Sequence, residues 1–214
     1  MEILGYKPIK NKKITVFLIK DEKNSSQIYN TNDSLIEFLK YLGINFVTID
    51  LENEQLKIFN QTSISKLLDK SEIPFFPLDI PEHAKDYLFE EIIEKDKQIN
   101  EFLDELLNIK DKDSIKAHYL KCWIDVLKEE INEKIKFIDL KVKPMWIVKK
   151  ILDLIKIDKH EKITCLHITS EKNLPELMKL LKEVNIEVIV YNGNENSISF
   201  NIITNQGEIN QWMY

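Results

Sequence analysis

Ile163-Thr164-Cys165-Leu166-His167-Ile168, then Asn173-Leu174-Pro175-Glu176, then Ile186-Glu187-Val188-Ile189-Val190-Tyr191 reads as a strand, a helix start and a second strand in close succession. Both apolar runs are short, rich in β-branched residues and bounded by polar ones, as buried strands are. Asn173 and Glu176 have capping-box spacing with a proline in the first turn, so a helix opens there. Short connections on both sides predict a parallel βαβ unit, and Asn192-Gly193 turns the chain into a last strand over 197–204, antiparallel to its predecessor.

Upstream, Lys143-Pro144-Met145-Trp146-Ile147-Val148-Lys149-Lys150 restarts the chain as a helix that carries Ile151, Leu154 and Ile155 on one face. Before it lie two long helical patterns. The first starts at Pro81 and keeps Leu88, Ile92, Ile99, Phe102, Leu103 and Leu106 in register, with Asp79 and Glu82 as a capping box. The second follows the polar break Lys110-Asp111-Lys112-Asp113 and aligns Ile115, Tyr119, Cys122, Val126, Ile135, Ile138 and Val142. So short a turn predicts an antiparallel, coiled-coil-like hairpin, each arm on the order of 40 Å at ~1.5 Å per residue. Glu90, Glu91 and Glu94 then face Lys128 and Lys134, while Phe89, Ile93, Leu107, Ile124 and Leu127 fall outside one narrow seam.

The first 80 residues read as a strand over 3–6 joined in a hairpin to Ile14-Thr15-Val16-Phe17-Leu18-Ile19, and a third strand over 27–29. A helix capped by Asn32 or Asp33 stops at Gly43, and a buried-type strand follows, Phe46-Val47-Thr48-Ile49-Asp50. An excursion over 56–59 and a helix over 63–68 precede Ile73-Pro74-Phe75-Phe76-Pro77-Leu78, whose two prolines mark a short or edge strand. Three parts result: an α/β part over 1–80, the hairpin over 81–142 and a small α/β part over 143–214.

Composition narrows the function. The 214 residues, 43% hydrophobic, suffice for a core without disulfides. Two cysteines and no secretory signal after Met1-Glu2 predict a reduced cytoplasmic setting, and no apolar run approaches the ~18 residues of a membrane span. All 30 basic residues are lysine, so the bidentate guanidinium forks that read guanine edges and clamp phosphates are missing. With a net charge of −6, this disfavours a dedicated nucleic-acid reader. Four scattered glycines, Gly5, Gly43, Gly193 and Gly207, form no phosphate loop, and the nucleophile-elbow, H-E-x-x-H and C-x-x-C motifs are absent.

Ile3-Leu4-Gly5-Tyr6-Lys7-Pro8 followed by the strand at Ile14 resembles the opening of the ribonuclease H-like superfamily in its Holliday-junction-resolvase branch. The resemblance covers about a third of the chain and implies a mixed sheet with a metal-dependent site. Lys7 stands where that branch keeps a metal-binding aspartate, so a degenerate member is implied. Asp50 and Asp79 lie where the family keeps further carboxylates.

Four constellations carry candidate chemistry. Asp50 and Asp79 at strand ends, with His83, offer hard ligands for Mg²⁺ or Mn²⁺, although Asp79 also reads as a helix cap. His118 with Cys122, four apart on a helix, and Cys165 with His167 on one strand face supply zinc-type ligands, against which stands a reading as two buried core cysteines. The stretch around Trp146 mixes aromatic and basic residues, a phosphate- or anion-contacting texture, but its periodicity fits a core helix better. Thr169, Ser170, Glu171 and Lys172 occupy the loop between a strand end and a helix start, the usual ligand position in α/β folds.

The leading expectation is a non-catalytic interaction or regulatory protein without a cofactor, whose hairpin binds another chain, as a homodimer. A metal-dependent nuclease acting on DNA or RNA through Asp50 and Asp79, with Glu2 or Asp21 as a third acid, is the alternative. A small-ligand sensor using Thr169 and Ser170 is a further one.

Overall fold

The computed structural model describes residues 9, 12–21, 39–51, 69–191, 200–204 and 207–211. The strands expected over 3–6 and 27–29, the excursion over 56–59, the helix over 63–68 and most of the helix ending at Gly43 lie outside them. The chain divides into two compact units, Met1–Asp79 with Pro144–Tyr214, and Ile80–Lys143. No helix among the described residues is long and apolar enough to cross a membrane.

Among the described residues, the first unit is built on one sheet of seven strands: β1 (Lys13–Asp21), β2 (Phe46–Ile49), β3 (Phe75–Pro77), β4 (Lys162–Ser170), β5 (Glu187–Tyr191), β6 (Phe200–Thr204) and β7 (Gly207–Gln211). Their order is β3-β2-β4-β1-β5-β6-β7, the first five parallel and the last two added antiparallel. The residues before 80 and after 143, separate parts in the sequence reading, thus share one sheet. β3 is its edge, as two prolines require. The strand after Asn192-Gly193 is antiparallel to β5, as expected, and β7 beyond it carried no signal strong enough to be read.

The βαβ reading needs one correction. β4 and β5 are parallel, but β1 lies between them and pairs with both, over Lys13–Asp21 with β4 and over residues 15–19 with β5. Both edges of β1 are therefore taken by parallel neighbours, and the antiparallel partner expected from residues 3–6 is not among the described pairings.

Apolar residues alternate between the two faces of this sheet. One face carries Ile14, Val16, Leu18, Ile163, Cys165, Val188 and Val190 beneath two helices, α3 (Lys143–Ile157) and α4 (Leu174–Glu183), which bury Ile147, Ile151, Ile155, Leu177, Leu180 and Leu181 there. The other gathers Phe17, Val47, Ile49, Leu166, Ile168 and Ile189 around Leu39. Leu39 lies in the last turn of a helix that ends at Gly43, whose φ of +59° is the left-handed value expected of a glycine C′. Lys12 closes the far end of α3 by donating its ammonium to the carbonyls of Ile155, at 3.0 Å, and Asp158.

The second unit pairs α1 (Glu82–Asn108) with α2 (Ile115–Phe137). Ile99, Ile124 and Leu127 form its buried seam, flanked by Phe102, Leu106 and Ile131. Lys134 reaches Glu91 at 2.9 Å, Lys95 reaches Glu130 at 3.1 Å and Lys116 reaches Glu105 at 2.5 Å, so rising numbers on α2 meet falling ones on α1. The seam of α2 is not the stripe read from the sequence. Ile124 and Leu127 are in it with Ala117 and Leu120, while Ile115, Tyr119, Cys122 and Val126 are exposed. Both stripes repeat at helical spacing on nearly opposite sides of the helix, and periodicity alone does not choose between them.

Two caps also differ. α1 begins at Pro81 with no side-chain cap, so the Asp79–Glu82 box does not form. Pro144 does not restart a helix, because α3 follows a π-helical turn, Ile138–Val142, with no loop between. In that turn the Lys143 N–H donates to the Ile138 carbonyl, five residues back. A proline has no N–H for the carbonyl four residues before it, and the wider turn absorbs that defect.

Candidate functional site at the carboxyl edge of the sheet

The loops after adjacent strands of a parallel sheet usually leave toward the same face. β1 and β4 break that pattern: Leu39, which precedes β2, packs on one face of the sheet, whereas β4 is followed by α4 on the opposite face. Divergence of neighbouring connections marks, outside the carboxyl ends of the strands, the usual ligand position in open α/β sheets. β2, the other neighbour of β4, ends at Ile49, and Asp50 follows it.

The polar residues of this edge form a linked set. On β4, Cys165, His167 and Thr169 project to one face between the wholly apolar Leu166 and Ile168 on the other. His167 is fully buried in line with Thr48 of β2 and Leu18 of β1. Its Nδ1 lies 2.9 Å from the Thr48 hydroxyl, which has an acceptor of its own in the Leu166 carbonyl at 3.3 Å. A hydroxyl has one proton; with it on the Leu166 carbonyl, Nδ1–H of the ring donates to Thr48 and Nε2 keeps a lone pair. Burial lowers the imidazole pKa to about 4, against the opposing pull of the Asp50 charge, so the ring is neutral at pH 7.

Asp50 is tied to the β4–α4 connection by Asn173, whose Nδ2 donates to Asp50 Oδ2 at 2.7 Å. That bond explains why the expected Asn173–Glu176 capping box is not made: Asn173 is the N-cap residue of α4, but its side chain is turned to the carboxylate. Its Nδ2 is thereby engaged and Oδ1 is left as an acceptor.

Among the described residues, His167 Nε2, Thr169 Oγ1, Ser170 Oγ and Asn173 Oδ1 are buried atoms without a hydrogen-bond partner. His167, Thr169 and Asn173 have essentially no exposed surface. A buried polar group left unpaired costs about 1–3 kcal/mol, so four at one strand end is an expensive arrangement for a polar loop to adopt by accident.

The sequence-derived candidates distribute unevenly over this geometry. Thr169, Ser170 and Asp50, assigned to two different constellations, belong to one edge. Asp79 follows β3, and His83 is exposed on α1 in the helical unit. No group of three or more His, Cys, Asp or Glu able to hold a metal ion occurs among the described residues. Cys165 is buried, and its thiol pKa is pushed far up by desolvation. Cys122 is exposed, contrary to the expectation that both cysteines are core residues, with its Sγ 3.7 Å from His118 Nε2. Around Trp146, Ile147, Val148, Ile151 and Leu152 are buried and the Lys149 and Lys150 ammonium groups sit 5.2 and 5.0 Å from the indole, as in a core helix with snorkelling lysines.

The sequence does not single out Thr48 or Asn173 as site residues, and it offers His167 as one candidate zinc ligand beside the favoured reading of a locally satisfied histidine. The available signal was the pair His167 and Thr169, two polar residues on one face of an otherwise apolar strand, pointing toward the loop already singled out. Comparison with family models, with curated proteins and with solved structures finds no match for this chain.

Proposed function

We propose that this chain is a non-catalytic regulatory protein whose α/β unit binds a small polar ligand at the carboxyl ends of β2 and β4. One observation carries the reading: four buried polar atoms of His167, Thr169, Ser170 and Asn173 without partners, gathered at the switch point of a parallel sheet. It joins the regulatory and ligand-sensor classes that the sequence left separate. It requires no metal, and it does not depend on a relationship to the ribonuclease H-like superfamily.

The test is a thermal-shift screen of the full chain against nucleosides, sugars, amino acids, dicarboxylates and inorganic phosphate at millimolar concentration, repeated on Asn173→Leu and Thr169→Val. A class that raises Tm in the wild type and not in either variant supports the reading. No shift from any class, with ordered waters satisfying all four atoms in a crystal structure, overturns it.

A second reading concerns the helical unit. Ile115, Tyr119, Trp123 and Val126, exposed by 77, 62, 57 and 44%, form a stripe on α2 that supports association with another copy of this chain. Light scattering on wild type and on Tyr119→Glu/Trp123→Glu tests it: a wild-type dimer that the double variant dissociates supports it, and a wild type monomeric at high micromolar concentration removes it. The alternative nuclease reading keeps Asp50 and Asp79 and predicts Mn²⁺-dependent cleavage lost in Asp50→Asn.

A further inference from the structure

The atoms at this edge differ in what they ask of a ligand, and the difference names its chemistry. In the tautomer in which the Thr48 proton goes to the Leu166 carbonyl, His167 Nδ1–H is committed to Thr48 and Nε2 carries a lone pair. Asn173 Oδ1 is an acceptor, because Nδ2 is committed to Asp50. Both are buried and neither has a donor facing it, while the hydroxyls of Thr169 and Ser170 can donate or accept. The site therefore needs hydrogen-bond donors from its ligand.

Charge argues in the same direction. The N-terminus of α4 would by itself attract an anion. Here that helix end already has its anion, since Asp50 is held 2.7 Å from the N-cap side chain and Glu176 lies in the first turn. A phosphate or carboxylate brought to the same point meets a carboxylate. The turn between β4 and α4, Glu171-Lys172-Asn173, also has no glycine to let a diphosphate approach the backbone. What suits neutral acceptors beside an acid at the end of the neighbouring strand is a pair of adjacent hydroxyls, the group such an acid holds in dinucleotide-binding sheets.

Resting on the binding reading above, we infer that the ligand presents a ribose vicinal diol to His167 Nε2 and Asn173 Oδ1, with Asp50 beside them, and keeps any phosphate away from the α4 N-terminus. The diol belongs to a free sugar or to a nucleoside, and the experiment separates the two. Titration calorimetry on the full chain uses adenosine, 2′-deoxyadenosine, D-ribose and inorganic phosphate as probes. A site that hydrogen-bonds a hydroxyl discriminates strongly against its absence, so 2′-deoxyadenosine is expected to bind at least about 100-fold more weakly than adenosine. Asn173→Leu, checked for an unchanged circular dichroism spectrum, is expected to lose adenosine binding. D-ribose binding as tightly as adenosine assigns the diol to a free sugar. Equal affinity for adenosine and its 2′-deoxy analogue, or phosphate binding abolished in Asn173→Leu, overturns the inference. If a compound outside the diol class binds at Asn173, the inference falls while the binding reading stands. If no class binds, both fall.

Discussion

α3 and α2 are both amphipathic, yet they bury themselves differently. α3 lies on a sheet and, in 15 residues, buries Pro144, Ile147, Val148, Ile151, Leu152 and Ile155. α2 lies on one other helix and, in 23 residues, buries only Ala117, Leu120, Ile124 and Leu127. A sheet offers a broad apolar plane, so a wide stripe of helix finds cover; a single helix offers one groove, and the rest of the stripe stays in water. The exposed Tyr119 and Trp123 follow from that geometry. The two units therefore differ in where they can afford function: the α/β unit has core to spare and places polar groups under its edge, whereas the helical unit has little core and only its surface to offer.

Deleting core volume is the severest way to probe this contrast. Ile151→Ala is expected to destabilise the α/β unit by about 4 kcal/mol, and Ile124→Ala the helical unit by about 2 kcal/mol, since a narrow seam relaxes more easily around a cavity. The sequence has three tryptophans, two of them in the α/β unit, so urea unfolding is followed in a Trp212→Phe background, with Trp123 or Trp146 also replaced by Phe in turn to read the two units separately. Equal losses would show that the seam is as closely packed as the sheet face.

His167 supplies the next largest effect. Its folded pKa of about 4 lies below the usual ~6.5, so between these values the unfolded chain binds the extra proton. The stability from keeping the ring neutral is complete above about pH 6.5 and is lost as pH falls toward 4, about 3 kcal/mol in all. A His167→Gln chain should have a flatter stability profile across this window. Identical slopes in the two chains would mean that the ring is not desolvated.

A smaller effect of opposite sign is expected at Thr169→Val, which removes an unpartnered buried hydroxyl and should stabilise the free protein by about 1 kcal/mol while weakening ligand binding. A destabilised variant would show that the hydroxyl is already paired in solution. The smallest effect belongs to the helical unit, where Lys134 and Lys95 hold the exposed Glu91 carboxyl down to about 2. Their contribution is present above the ordinary carboxylate range and fades as pH falls toward 2. Glu91→Gln should lower Tm only at low ionic strength, and a shift that persists in 1 M salt would contradict an exposed pair.

The α/β class, the edge position of β3, the Gly43 cap and the antiparallel β6 were legible because each depends on a few neighbouring residues. Strand order was not. Nothing near Ile14 or Ile163 says that β1 separates β4 from β5, because that choice is made by contacts nearly 150 residues apart. The site was half legible for the same reason: Thr169 and Ser170 announce themselves as a loop after a strand, but the partner that turns Asn173 away from its cap is Asp50, on another strand. On α2, Ile115, Tyr119 and Val126 at helical spacing outweigh Ala117 and Leu120, which the groove accepts.

The central position of β1 also has a consequence for synthesis. β1 ends at Asp21, and its first neighbour β4 begins only at Lys162. At ~5–20 residues per second, the ribosome needs on the order of ten seconds to deliver that neighbour, and longer for β5. During this interval Ile14-Thr15-Val16-Phe17-Leu18-Ile19 is an apolar strand with neither of its final partners yet made. The nascent chain must be shielded, by a chaperone or by non-native contacts, until its carboxyl-terminal third emerges, and a ribosome stalled before Lys162 would release an aggregation-prone fragment.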